Sequence, residues 1–294
     1  MLFHSHFGTF DVDAAYSAAC LRAAAIWHMH SPYPTFGQLR KRVGERLKFL
    51  IVARLLVDRV VAVSGSVAES AVKRGGPRQK TVVVLNGIDL DRVRPLDERA
   101  RSGLRAGRGV AGDSVVFLLF GWEPKRKGVD LLIRAVDLIP GLSSRPFRAF
   151  VVRGETEPAA VTGTTGDIRS FQILEPVQDV RDLYGIADCF VSASRAEGLP
   201  YSIGEAMASG LPVISSDLPQ IIDAYGAADR GLLTFKTGDA EDLAAAMSRV
   251  LSMTADERRQ LGTQNLAYAR DHLSLDRWAE NLIAVYRSVL SRRD

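Results

Sequence analysis

The sequence predicts an α/β protein with two domains built on parallel sheets, the N-terminal one incomplete. Three observations carry this. Short apolar runs rich in β-branched residues recur at 25–27, 59–63, 81–85, 115–120, 147–152, 189–192 and 212–214, as suits strands buried on both faces. Amphipathic stretches with helical spacing lie between most of them, for example Val129, Leu132, Ile133 and Val136, and that alternation makes βαβ units. The series breaks once, at the polar, Arg- and Gly-rich stretch 97–112, just after the Asn86-Gly87 turn signal and Pro95.

Taken in order, the first half offers three or four strands. Ser66 and Glu69 fit a capping box for the helix that follows the strand ending near Ser64. The second half carries a fuller βαβ set to about residue 251, and three helix-like segments close the chain. The last of them, from Leu275, places Trp278, Leu282, Val285, Tyr286 and Leu290 on one face. So few strands in the first half leave a sheet edge open.

Bulk properties narrow the function. Hydrophobic content of 47% against 24% charged residues is that of a globular protein with a real core. A net charge of +4 does not call for nucleic acid. Cys20 and Cys189 make neither a disulfide framework nor a metal-ligand spacing, which fits a cytoplasmic setting. The segment after Met1 has no basic and apolar leader pattern. The longest apolar stretch, 49–57, is too short for a membrane span.

Some motifs are decoys. Gly107-Arg-Gly109-Val-Ala-Gly112 matches G-x-G-x-x-G but precedes a strand instead of following one, the wrong context for a dinucleotide fingerprint. Asp11-Val-Asp13 reads as a helix start and Asp89-Leu-Asp91 as a turn, so neither is expected to hold a metal. The segment 192–217, SASRAEGLPYSIGEAMASGLPVISSD, is different. A strand ends at 192–194, a loop carries Glu197, Gly198, Leu199, Pro200 and Tyr201, and a helix starts near Ser202. A loop at the C-terminal end of a parallel strand that feeds a helix N-terminus suits a diphosphate. Ser202-Ile-Gly-Glu205 is also a capping box, so Glu205 carries two readings, ligand contact or cap.

This stretch resembles the E-x7-E motif of glycosyltransferase family 4, with Glu197 and Glu205 as its two carboxylates, followed by the EAMASGLPV run of that family. Asn86-Gly87-Ile88-Asp89 resembles the family's interdomain hinge, and FGWEPKRKGVDLLIRA (120–135) resembles the segment that opens its C-terminal domain. Ala62-Val63-Ser64 is similar to a strand end of its N-terminal domain. The resemblance implies a GT-B-like fold of two Rossmann-like domains. It divides the chain into 1–90 on the acceptor side, 91–272 on the nucleotide-sugar side, and a helix at 273–294 crossing back.

The implied activity is retaining, metal-independent sugar transfer from a nucleoside-diphosphate sugar to a glycan, lipid-linked or small acceptor, with no cofactor. Glu205 would accept the donor ribose hydroxyls. Glu197 would sit near the donor sugar, and Lys127 would neutralise the leaving diphosphate. Gly121 would allow close approach of the phosphates. His28 matches a strand-end histidine facing the cleft, with His30 its rival; Asn86 lies at the hinge. Two departures stand out. Trp122 occupies a position where the family has Arg, leaving Lys125 or Arg126 to supply the charge. The family's opening Gly-rich loop has no counterpart, as in a fragment, a mis-started frame or a degenerate paralogue. The alternative reading is therefore a non-catalytic nucleotide-binding or interaction protein. Finally, Leu39, Val43, Leu47 and Leu50 share helical spacing beside Arg40, Lys41, Arg42, Arg46, Lys48, Arg54 and Arg59. That pattern is a solvated surface helix or one resting on the inner face of a membrane.

Overall fold

The structure, a computed structural model, describes residues 1–6, 10–32, 39–139, 146–154, 171–226 and 231–291, without the side chains of 39–42. Phe7, Gly8 and Gln38, and the side chains of the basic run 40–42, thus lie outside the described residues. The chain divides into two units, Met1–Gly87 with Glu197–Leu199 and Leu275–Asp294, and Ile88–Ala196 with Pro200–Ser274.

In the first unit β1 (Leu2–His6), α1 (Asp11–Cys20), β2 (Ala24–Met29), α2 (Leu39–Leu47), β3 (Arg59–Ala62), α3 (Gly65–Lys73) and β4 (Thr81–Val83) alternate, with a π-helical stretch Lys48–Ala53 continuing α2. The sheet is parallel, in the order β1-β2-β3-β4. Strand β2 is buried along its whole length, which accounts for its unbroken apolar run. One face packs Ala24, Ile26, Val61 and Val84 against Val285 and Val289, with Trp278 and Tyr286 alongside, all from the chain's last helix. On the other, Trp27 stands edge-on to Phe49 and donates its indole N–H to the Asp11 carbonyl at 2.9 Å.

Several expectations here need correction. The cap of α3 is Ser64, whose hydroxyl accepts from the Val67 amide, because the helix starts before Ser66; Glu69 pairs instead with Arg78. Lys48 does not join a solvated basic face. Its ammonium turns inward to Asp11 at 3.0 Å and lies 5.1 Å over the Trp27 ring. Arg59 is likewise buried and donates to the Asp58 carbonyl. In the last helix Val289 is buried, while Leu290 is exposed.

The second unit runs α4 (Glu98–Gly107), β5 (Val115–Phe120), α5 (Pro124–Lys127), α6 (Val129–Leu138), β6 (Phe147–Val152), β7 (Phe171–Leu174), α7 (Arg181–Ile186), β8 (Cys189–Ser192), α8 (Tyr201–Ala208), β9 (Val213–Ser216), α9 (Pro219–Tyr225), β10 (Leu232–Phe235), α10 (Ala240–Ser252) and α11 (Ala255–His272). Helix α12 (Leu275–Leu290) then returns to the first unit. The six strands are parallel, in the order β10-β9-β8-β5-β6-β7. Strands β5, β8 and β9 are buried throughout. Phe117, Leu119, Val151, Val191 and Ile214 form the core with α6 and α10. Asp188 ties α4 to the sheet: Arg101 and Arg105 donate to its carboxylate at 2.6 and 2.9 Å, and the Val116 amide at 2.8 Å.

This order contains a switch point. From β5 the chain proceeds outward to β6 and β7, and from β8 it proceeds the other way to β9 and β10. The loops leaving the C-terminal ends of β5 and β8 therefore diverge around one crevice, the position where open parallel sheets take their ligands.

Candidate functional site

The loop after β5 is 121–128. Gly121 gives its amide to the Val152 carbonyl at 2.7 Å, and a Cβ there would meet Val129 and Val151 at 2.8 and 2.9 Å. Packing alone thus demands glycine at this position. Glu123 adopts left-handed backbone, φ 62 and ψ 67, a conformation costing roughly 1–2 kcal/mol for a residue with a side chain. Its carboxylate takes both Arg126 Nε and Nη2 at 2.8 Å. The Arg126 charge is thereby paired, and Lys125 is exposed. Trp122 stacks on Phe120, and its ring lies 5.4 Å beneath the ammonium of the buried Lys127. The residue in the family's Arg position thus holds Lys127 by a cation–π contact.

The two loops touch. Arg195 donates its amide to the Arg126 carbonyl at 2.8 Å, and its guanidinium grips Asp130 with two bonds of 2.7 Å. Gly128, at φ +73, presses against β8's end so closely that a Cβ would lie 2.0 Å from the Ala193 carbonyl oxygen.

Helix α8 begins at Tyr201 with Pro200 as its N-cap and no side-chain cap. Ser202 is already inside the helix, so the capping box expected of Ser202 and Glu205 does not form. Glu205 instead accepts from the Tyr184 hydroxyl and from Arg92, each at 2.9 Å. Burial first, then the Glu205 charge, raises the Tyr184 phenol well above its usual pKa, so it stays a hydrogen-bond donor. The Tyr225 hydroxyl fixes the helix start by donating to Pro200 O at 2.9 Å. Tyr201 is half exposed beside this start.

Glu197, Gly198 and Leu199 group with the first unit. Asn86 donates to Leu199 O at 3.0 Å, and a Cβ on Gly198 would stand 1.8 Å from the His30 carbonyl oxygen. His28 is buried and His30 half-buried, their rings 4.4 Å apart. Burial above all, then neighbouring histidines, lowers the His28 pKa to about 3 and that of His30 to about 4. Both rings are therefore neutral at pH 7 and cannot act as preformed acids.

The sequence-predicted residues thus form two sets. Gly121, Trp122, Lys125, Arg126, Lys127, Pro200, Tyr201, Ser202 and Glu205 belong to one unit, and His28, His30, Asn86, Glu197, Gly198 and Leu199 to the other. Sequence reasoning missed Tyr184 and Arg92 as partners of Glu205, and His4 and His6, whose ring centroids lie 5.3 and 4.9 Å from that of His28. The repeated His-x-His of β1 and of residues 28–30 was the available signal, since alternate strand residues share a face.

Comparison with known proteins bears on the family and the fold. A model described as glycosyltransferase family 4 matches residues 2–92, and one described as glycosyl transferases group 1 matches 114–253. A D-inositol 3-phosphate glycosyltransferase from Nocardia farcinica is 28% identical over 292 residues, covering 95% of this chain and 61% of that relative. A lipopolysaccharide core biosynthesis mannosyltransferase, LpsB, from Rhizobium meliloti is 24% identical over 294 residues, covering 92% and 81%. The chain spans about three fifths of the length of the first of these. Among solved structures, Anabaena Alr3699/HepE in complex with UDP superposes with a TM-score of 0.86 at 19% identity, covering 98% of this chain and 78% of that one. A glycosyltransferase from Rickettsia africae gives 0.84 at 19%, covering 98% and 76%. At such identities the likeness carries the fold, which is GT-B. With both family models matched in order along most of its length, the chain belongs to the family 4, group 1 glycosyltransferases.

Proposed function

We propose that this chain is a retaining glycosyltransferase that moves a sugar from a nucleoside-diphosphate sugar to a glycan, lipid-linked or small acceptor. The observation that carries the reading is the switch point: the loop bearing Lys127 and the loop feeding α8 leave the C-terminal ends of β5 and β8, adjacent strands from which the chain diverges. A diphosphate seated there would meet the first-turn amides of α8 and the Lys127 ammonium. Glu205, anchored by Tyr184, keeps lone pairs for two ribose hydroxyls. Catalysis would rest on positioning and leaving-group stabilisation without a metal or cofactor, with His28 and Glu197 toward the transferred sugar. In this proposal residues 1–90 form the acceptor side, 91–272 the donor side, and 273–294 the helix that crosses back to the first. The UDP complexes of the Anabaena protein favour a nucleotide-sugar donor.

A membrane-facing acceptor is favoured by one feature. Val43, Leu47, Leu50, Ile51 and Leu55 are all exposed along α2 and its continuation, and Arg46 lies among them. Among the described residues no helix is long and apolar enough to cross a membrane. Salt-sensitive co-sedimentation with anionic vesicles, lost in Leu47→Asp, is the expected behaviour of such a face.

Calorimetric titration with UDP, GDP and ADP tests the main reading. One nucleotide should bind, and Glu205→Ala should abolish that binding while circular dichroism is unchanged. Equal binding by Glu205→Ala would refute the site. Binding without any hydrolysis or transfer of the matching nucleotide sugar would favour a non-catalytic nucleotide-binding protein, the reading that Trp122 in place of Arg supports.

A further inference from the structure

We propose that His4, His6 and His28 form a three-histidine site for a divalent ion of the zinc class. One ring nitrogen from each lies within 4.8 Å of the others. Bonds of about 2.0–2.1 Å in tetrahedral geometry place such nitrogens about 3.4 Å apart, so closure around an ion needs both the exposed His6 ring and the half-buried His4 ring to turn toward His28. Parallel pairing sets the arrangement: His6 stands opposite His28 across β1 and β2, and His4 is two residues earlier on the same face.

Two further features fit a metal better than a structural cluster. Both nitrogens of His28 and Nε2 of His4 are buried with no hydrogen-bond partner among the described residues. A buried polar atom in that state costs on the order of 1–3 kcal/mol, and such groups call for an explanation. The second nitrogens of His4 and His6 have partners, as those of metal-binding imidazoles usually do, whereas the second nitrogen of His28 has none among the described residues. His4 Nδ1 is 2.7 Å from the Tyr286 hydroxyl, and His6 Nδ1 is 2.8 Å from His30 Nε2. If His4 donates from Nδ1, its lone pair sits on the buried Nε2. Three nitrogen donors with a fourth position left for water or another ligand suit Zn²⁺, Co²⁺ or Ni²⁺. This consequence rests on the proposed function: with His28 facing the transferred sugar, an ion bound to it would inhibit transfer.

Cobalt titration of the full chain reads the site without reference to activity. One equivalent of Co²⁺ should bind and give the visible bands of a four- or five-coordinate, nitrogen-ligated ion. His6→Gln, a change at an exposed position, should weaken binding at least tenfold. His30→Gln should weaken it about tenfold, as loss of a partner that orients a ligand does. His272→Gln, at the chain's remaining histidine, should leave it unchanged. Absence of stoichiometric uptake overturns the proposal. So does uptake that His6→Gln leaves intact, or that His272→Gln removes.

Discussion

Replacing Gly128 by alanine should damage the proposed donor site more than the fold. At φ +73 any residue with a Cβ pays the left-handed penalty, roughly 1–2 kcal/mol. The new methyl would also stand 2.0 Å from the Ala193 oxygen and 2.8 Å from its carbonyl carbon. Ordinary carbon–oxygen approach is about 3.3 Å or more, so the loop must retreat by about 1 Å, and overpacking of this kind costs about 1–3 kcal/mol. The total is about 2–5 kcal/mol. Gly238 supplies the control: its φ is +86, but nothing lies within 4 Å of its Cβ position. Gly238→Ala should therefore cost only the backbone part. Urea unfolding of the two variants isolates the clash as their difference. Lys127 precedes Gly128 directly, and a displacement of about 1 Å at a positioning group lowers turnover on the order of 100-fold. Sugar transfer should thus fall far more in Gly128→Ala than in Gly238→Ala, both assayed while folded. If the two variants unfold at the same urea concentration, the close approach of the β5 and β8 loops is refuted.

Trp122→Ala removes the ring beneath Lys127; an exposed cation–π contact of about 0.5–1 kcal/mol predicts a two- to fivefold loss of nucleotide affinity, and an unchanged Kd by calorimetry would contradict it. A thiol reagent should label one cysteine in the native chain, since Cys20 is exposed, whereas Cys189 is buried with its pKa raised by desolvation; two fast thiols would refute that burial. In metal-free buffer the histidine-bearing unit should lose stability on acidification. His4, His28 and His30 have folded pKa values lowered to about 4, 3 and 4, so the unfolded chain takes up protons first as pH drops below about 6.5. Stability is full above that pH and falls toward pH 4, by up to about 1.4 kcal/mol per pH unit for His28 and less for the more solvent-screened His4 and His30. A Tm flat from pH 7.5 to 5 would contradict the lowered values.

Central strands were legible in the sequence because burial on both faces writes an unbroken apolar run. Strands β5, β6 and β8 have the bounds their runs predict. The strands that escaped notice, β1, β7 and β10, all lie at sheet edges, where solvent reaches one side and polar residues such as His4, Gln172 and Thr234 interrupt the pattern. Helix starts were less legible, since cap choice at α3 and α8 turned on one or two residues of register. At the site, motif spacing located Glu205 but not its partners. Tyr184 stands 21 positions away and Arg92 113, and tertiary folding alone brings them to the carboxylate.

Because α12 supplies Val285 and Val289 to the core of the first unit, the order of synthesis and the order of folding are opposed. The sheet β1–β4 leaves the ribosome before α12 and waits for that helix before its apolar face is covered. The second unit, whose sheet and helices are continuous from Ile88 to Ser274 apart from one short loop, is finished earlier. A nascent chain halted near residue 274 would therefore carry a folded second unit behind an uncovered parallel sheet, a surface that chaperones and proteases recognise.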